Sequence, residues 1–149
     1  MKVFIGADHR GFTLKEELKS WLIGQRHEVE DVGNAAFDPN DDYPDFSFSV
    51  ADKVVTSPGS LGVIICGSGG GATFASNKVV GIRCVNGVES EDVRHNRDHN
   101  NINVLSLAAD FIDSQKAKVL VKTFLTTPYK AEERFVRRLK KIEEREHHG

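Results

Sequence analysis

Every residue of Leu61–Cys66 is apolar or glycine, and the run passes directly into Gly67-Ser68-Gly69-Gly70-Gly71. A strand with no polar position has no side to offer water, so it belongs inside a sheet covered on both faces. Together with strands that alternate with helices, such a run argues an α/β chain with a parallel sheet. The glycines that follow leave backbone N–H groups uncovered beside a thiol at the strand's carboxyl end. Such a loop favours thiolate and can receive negative charge as it develops.

The rest of the chain reads in agreement. Lys2–Ala7, Glu28–Val32, Gly81–Val85 and Val104–Leu107 read as further strands. Helical spacing covers Gly11–Leu22, the segment from Pro44 with an apolar face at Phe46, Val50 and Val54, Ala72–Lys78 and Glu89–His95. Two more helices, Ser114–Leu125 and Ala131–Glu146, follow the last strand. This alternation predicts a Rossmann-like three-layer sandwich: a five-stranded parallel sheet with helices on both faces and a C-terminal helix, as one domain over 1–149. In such folds ligands bind beyond the carboxyl ends of the strands. Asp8-His9-Arg10-Gly11, Cys66–Gly71 and Asn86-Gly87 fall there. Arg97-Asp98-His99-Asn100-Asn101 instead precedes a strand, and a neighbouring subunit is one route by which it could reach a site.

Composition narrows the partners. With 149 residues and a formal net charge of −2, the chain is long enough for a real core and carries no charge excess that selects nucleic acid or an anionic membrane. No apolar run approaches a membrane span. Met1–Gly6 enters a strand pattern with no leader ahead of it, and the two cysteines lie in apolar segments. The expectation is a soluble cytoplasmic protein in a reducing compartment. The sequence has no paired C-x-x-C, H-E-x-x-H or aspartate-rich loop, so no metal is expected.

Cys66 is either a small buried hydrophobe or a functional thiol, and its place between strand and glycine loop favours the second. Cys84, between Arg83 and Val85, has no such setting and reads as core. Gly67–Ala72 also fits a G-x-G-x-x-A dinucleotide loop, but after the third strand, and Val85-Asn86 stands where the ribose-binding acid belongs. An amide cradle for an oxyanion, with the Ser68 hydroxyl inside it, is the better fit. Asp8 and His9 are either a helix cap or a pair at the ligand edge. His99 and Asn100 belong to a turn-like run. Arg134 and Arg138 share a helix face and can converge on a phosphate or carboxylate, although Glu132, Glu133, Glu143 and Glu144 offer them surface partners.

Taken in order, five segments resemble the type B ribose-5-phosphate isomerases of the ribose/galactose isomerase family. They are Gly6-Ala7-Asp8-His9-Arg10-Gly11-Phe12, Asp42-Tyr43-Pro44, Ile65–Gly71, Asn77-Lys78-Val79-Val80-Gly81-Ile82-Arg83 and Arg97-Asp98-His99-Asn100-Asn101-Ile102-Asn103-Val104-Leu105. The resemblance implies interconversion of ribose 5-phosphate and ribulose 5-phosphate through a cis-enediolate, as in the non-oxidative pentose phosphate branch. It also implies a homodimer or dimer of dimers without metal or organic cofactor.

By the same resemblance, Cys66 moves the proton between C1 and C2, and Ser68 with Gly67, Gly69, Gly70 and Gly71 forms the enediolate hole. His99, assisted by Asp8, opens the sugar ring and is supplied across the dimer interface. His9, Arg134 and Arg138 bind phosphate, while Tyr43 and Asn100 contact the sugar. Two positions depart from the family pattern. Asp110 stands where an arginine is common, and Ala72 where some members carry a glutamate base. Six-carbon aldose phosphates, such as those of allose or galactose, and a non-catalytic sugar-phosphate module are the alternatives.

Overall fold

All five expected strands form, and they make one parallel sheet. The computed structural model describes residues 1–148; Gly149, the last residue of the expected domain, lies outside the described residues. The strands are β1 (Lys2–Ala7), β2 (Glu28–Asp31), β3 (Leu61–Cys66), β4 (Cys84–Asn86) and β5 (Val104–Ala108), in spatial order β2-β1-β3-β5-β4. The helices are α1 (Phe12–Gly24), α2 (Tyr43–Thr56), α3 (Gly70–Ser76), α4 (Ser90–Asn100), α5 (Ser114–Thr126) and α6 (Glu133–Glu146).

The period of two along the strands sorts the core into two layers. Val3, Ile5, Val63, Ile65, Leu105 and Leu107 face α1, α4 and α5, packing on Leu14, Leu18, Val93, Leu120 and Phe124. Phe4, Ile64, Cys66, Cys84 and Val104 face α2 and α3, against Val50, Ala51, Val54 and Ala72. All of β3 is buried, as its composition demands. Helix α6 lies outside both layers and docks on α4 by the buried Phe135, whose ring stacks on His99 at 4.2 Å.

Local chemistry sets the element ends. The Asp113 carboxylate accepts from Lys116 N–H to start α5, and Pro44 opens α2. Two expectations need correction. The fourth strand begins at Cys84 rather than Gly81, because Gly81 turns at φ +93° and the Asn103 side chain takes the Arg83 N–H that a ladder would use. The helix expected to stop at His95 continues through Asn100 and ends where Asn101 turns left-handed at φ 49°. His99 and Asn100 are therefore on a helix, not in a turn.

Candidate active site

The sheet order reverses at β1: the chain leaves it for β2 on one side and returns to β3 on the other. The crevice at the carboxyl ends of β1 and β3 is the topological switch point. A cleft of about 370 Å³ opens there, lined by Asp8, His9, Arg10, Asp41, Asp42, Tyr43, Cys66, Gly67, Ser68 and Gly71.

Cys66 closes β3 facing the α2–α3 layer, and its sulfur accepts the Gly69 N–H at 3.2 Å. Gly69 makes that approach in the left-handed conformation at φ +76°. A side chain there would run into Asn86 Oδ1. The Gly69 carbonyl is fixed from below by the buried Ser106 hydroxyl at 2.7 Å and by Thr73 at 2.7 Å. Gly70 N–H donates to Ser68 Oγ at 3.2 Å. The N–H groups of Ser68, Gly71 and Ala72 meet no protein acceptor among the described residues, so donors remain for an incoming oxyanion. Tyr43 lies across Gly71 so closely that a Cβ there would stand 2.6 Å from its ring.

On the β1 side, Asp8 Oδ1 accepts from Arg10 and Gly11 N–H at 3.0 and 3.2 Å, so it is a cap as well as a cleft residue. Burial pushes its carboxyl above the usual range, opposed by the Gly11 and Arg10 amides. The His9 main-chain N–H and its Nδ1 both reach Asp41 Oδ1 at 2.8 Å. The hydrogen bond to Asp41 holds the imidazolium of His9 to higher pH than usual. Nδ1 is thereby committed and Nε2 is left for a ligand.

Asp41, which belongs to none of the sequence motifs singled out above, orients His9. It belongs to a relay. Buried Lys15 holds Asp31 at 2.9 Å and the Asn34 carbonyl at 2.7 Å, and Asn34 Nδ2 holds Asp41 Oδ2 at 2.9 Å. Helix α1 thus braces the loop that orients His9. The one available signal was Lys15 falling on the apolar face of a helical pattern. Asp110, one of the two departures from the family pattern, is not an unpaired charge: it forms an ion pair with Arg10 above Gly67.

His99, Asn100, Arg134 and Arg138 do not line this cleft. They form a second cluster, at the end of α4 and the start of α6. His99 is sandwiched between His95 (4.0 Å) and Phe135, and its Nε2 approaches Asp98 Oδ1 at 3.2 Å without hydrogen-bond alignment. Arg134 lies over the Phe135 ring at 4.9 Å and Arg138 is exposed. Asn100 opens onto a groove lined by Ile82, Leu139 and Ile142. Cys84 is core: burial pushes its thiol up to about 12. No helix among the described residues is long and apolar enough to cross a membrane.

Residues 3–142 match the model of the Ribose/Galactose Isomerase family. The chain is 37% identical to ribose-5-phosphate isomerase B of Mycobacterium leprae, over 93% of this chain and 86% of that one. It is 42% identical to a probable ribose-5-phosphate isomerase B of Mycoplasma genitalium, over 94% and 92%. The crystal structure of the Mycoplasma genitalium ribose-5-phosphate isomerase B with bound ribulose-5-phosphate superposes with a TM-score of 0.94 at 39% identity, covering 99% of this chain and 97% of that one.

Proposed function

Because the chain belongs to the ribose/galactose isomerase family and is an isomerase, we propose that its cleft interconverts ribose 5-phosphate and ribulose 5-phosphate without metal or organic cofactor. The observation that carries this reading is the Cys66 sulfur held under the Gly69 N–H beside unpaired loop amides. Cys66 thiolate takes the proton from C2 of the open-chain aldose and returns it to C1, while the proton of the C2 hydroxyl passes to O1, so that the C1 aldehyde becomes an alcohol and C2 a ketone. The enediolate oxygen charge that forms between the two transfers meets the Ser68, Gly71 and Ala72 amides and the Ser68 hydroxyl. Tyr43, fixed against Gly71, lines the sugar's path. The hydrogen bond to Asp41 favours the cationic form of His9, which offers Nε2–H to the phosphate.

Ring opening and the remaining phosphate contacts fall to the second cluster, donated by another copy of the chain. His99 with Asp8 of the receiving cleft opens the ring, Asn100 contacts the sugar, and Arg134 and Arg138 close on the phosphate. The apolar groove beside Asn100, with Val80, Leu139 and Ile142 along it, is the kind of surface a second copy would cover. On this reading the working unit is a cytoplasmic homodimer or dimer of dimers. The relatives reported above are named ribose-5-phosphate isomerases, which favours the five-carbon substrate over the six-carbon alternative.

The test is Cys66→Ala, assayed with ribose 5-phosphate and six-carbon aldose phosphates in the presence of EDTA. Turnover of ribose 5-phosphate should fall by about a hundredfold or more, the loss expected for a deleted acid/base group, while substrate binding persists. Activity above about a tenth of wild type would remove Cys66 from the role of base.

A further inference from the structure

The cleft is short of positive charge. Asp8, Asp41 and Asp42 line it, and a phosphomonoester brings about −1.5 to −2 more near neutral pH. Within the chain that carries Cys66, His9 and Arg10 are the only basic residues lining it, and Arg10 alone offers a guanidinium fork. Its side chain does not swing freely. The guanidinium crosses the cleft floor at Gly67, where a Cβ would stand 2.8 Å from Arg10 Nε and 2.9 Å from Asp110 Oδ2. Asp110 is itself pinned there, its main-chain N–H donating to the Gly67 carbonyl at 3.0 Å. Arg10 Nη2 engages the Asp110 carboxylate, while Nη1 and Nε have no acceptor among the described residues.

We propose that Arg10 is a substrate-phosphate ligand contributed by the same chain as Cys66, and that Asp110 is its positioning residue. The inference rests on the isomerase reading of this cleft. The geometry explains both halves. A guanidinium presents two hydrogen-bonding edges, so an anchor at one Nη leaves the rest of the fork for phosphate oxygens. The Asp110 carboxylate, which alone would repel a phosphate, is neutralised by the pair and converts a half-exposed flexible side chain into an oriented one. Gly67 is required for this arrangement, because any side chain would displace the guanidinium.

The experiment uses the full chain and two readouts: inorganic phosphate binding by titration calorimetry, and steady-state turnover of ribose 5-phosphate. Arg10→Met keeps the aliphatic stem and removes the charge. It should weaken phosphate binding and raise KM together by about ten- to a hundredfold, the scale of lost charge-assisted hydrogen bonds, with kcat changed by less than about threefold. Arg10→Lys should recover part of the loss. Asp110→Asn should weaken phosphate binding by a smaller factor, and adding it to Arg10→Met should cost nothing further, since a positioning residue has nothing left to position. Phosphate affinity unchanged in Arg10→Met, or no phosphate binding by wild type, overturns the proposal. Full additivity of the two substitutions overturns the role of Asp110. Should wild type turn over no aldose phosphate while Arg10→Met still loses phosphate, the isomerase reading fails and the anion role of Arg10 stands.

Discussion

Replacing Gly69 by alanine tests the link between backbone geometry and the chemistry of Cys66. Gly69 is held at φ +76°, a conformation that costs an alanine about 1–2 kcal/mol. Reduced freedom of the unfolded chain returns about 0.4–1 kcal/mol. The new methyl group must also push Asn86 aside, breaking a long hydrogen bond to the Ser68 carbonyl at 3.4 Å. The net destabilisation is about 1–2 kcal/mol, which for a chain of this size lowers Tm by about 2–8 °C. The larger effect is on turnover. Relaxing the strain tilts the amide that donates to Cys66 Sγ, and a hydrogen bond to a charged group is worth about 1.5–3 kcal/mol, or about ten- to a hundredfold in kcat. Gly70→Ala is the control for stability. A Cβ at Gly70 comes no nearer than 3.6 Å to Ser68 Oγ, and within a helix's first turn alanine should leave Tm unchanged or raise it by up to about 1 kcal/mol equivalent. Thermal unfolding and steady-state kinetics on both variants decide the matter. A Gly69→Ala protein with wild-type Tm and kcat, or an equal loss of Tm in both, would refute the reasoning.

Two further substitutions probe the support of the site. Asp41→Asn removes the main cause that keeps His9 protonated, so the His9 resonance in an NMR titration should move down toward the usual 6.5; because the cation is lost as pH rises, phosphate affinity should begin to fall at lower pH than in wild type. Lys15→Met leaves Asp31 with Lys19 and the Gly33 N–H, so the loss of stability should be about 1–3 kcal/mol in urea unfolding rather than that of a wholly unpaired buried charge. Burial alone would raise the Asp31 carboxyl, but its hydrogen bonds from Lys19 and Lys15 prevail and hold it below the usual 3.8. That contribution exists above the usual value and disappears as pH falls through the folded one, so the gap between wild type and Lys15→Met should narrow below about pH 4.

The architecture was legible because its signals are local and repeated. The apolar run of β3, the helical spacing of α1 and α5 and the caps between them all point to one sheet. Where the reading slipped, the controlling groups were remote or the period was silent. Helix α4 has a single buried apolar residue, Val93, so hydrophobic spacing could not follow it past His95; a capping box of Glu89 and Asp92 and the left-handed Asn101 set its ends. The start of β4 is decided by the Asn103 side chain, twenty residues away along the chain. Within the cleft, Cys66, Ser68, Asp8 and His9 were recognisable because each belongs to a short motif at a strand's end, and Tyr43 because it belongs to the Asp42-Tyr43-Pro44 segment that opens α2. Asp41 and the pairing of Arg10 with Asp110 were not, because they are contacts between loops that only the closed sheet brings together.

Those loop contacts also account for where the site's charges are kept. A cleft meant for a dianion contains three aspartates; Asp42 is exposed at the start of α2, and the other two would be self-defeating if their carboxylates faced the ligand alone. Asp8 spends an oxygen on two amides and is pushed toward the neutral form by burial. Asp41 is held between His9 and Asn34, so its charge raises the cationic population of His9 and reaches the ligand as an imidazolium. Asp110, just outside, acts through Arg10 in the same way. In two cases the carboxylate lies behind a cation that faces the cleft. Each such pair orients a donor that would otherwise lose its rotamer freedom on binding, so the negative charges serve to preorganise the positive ones.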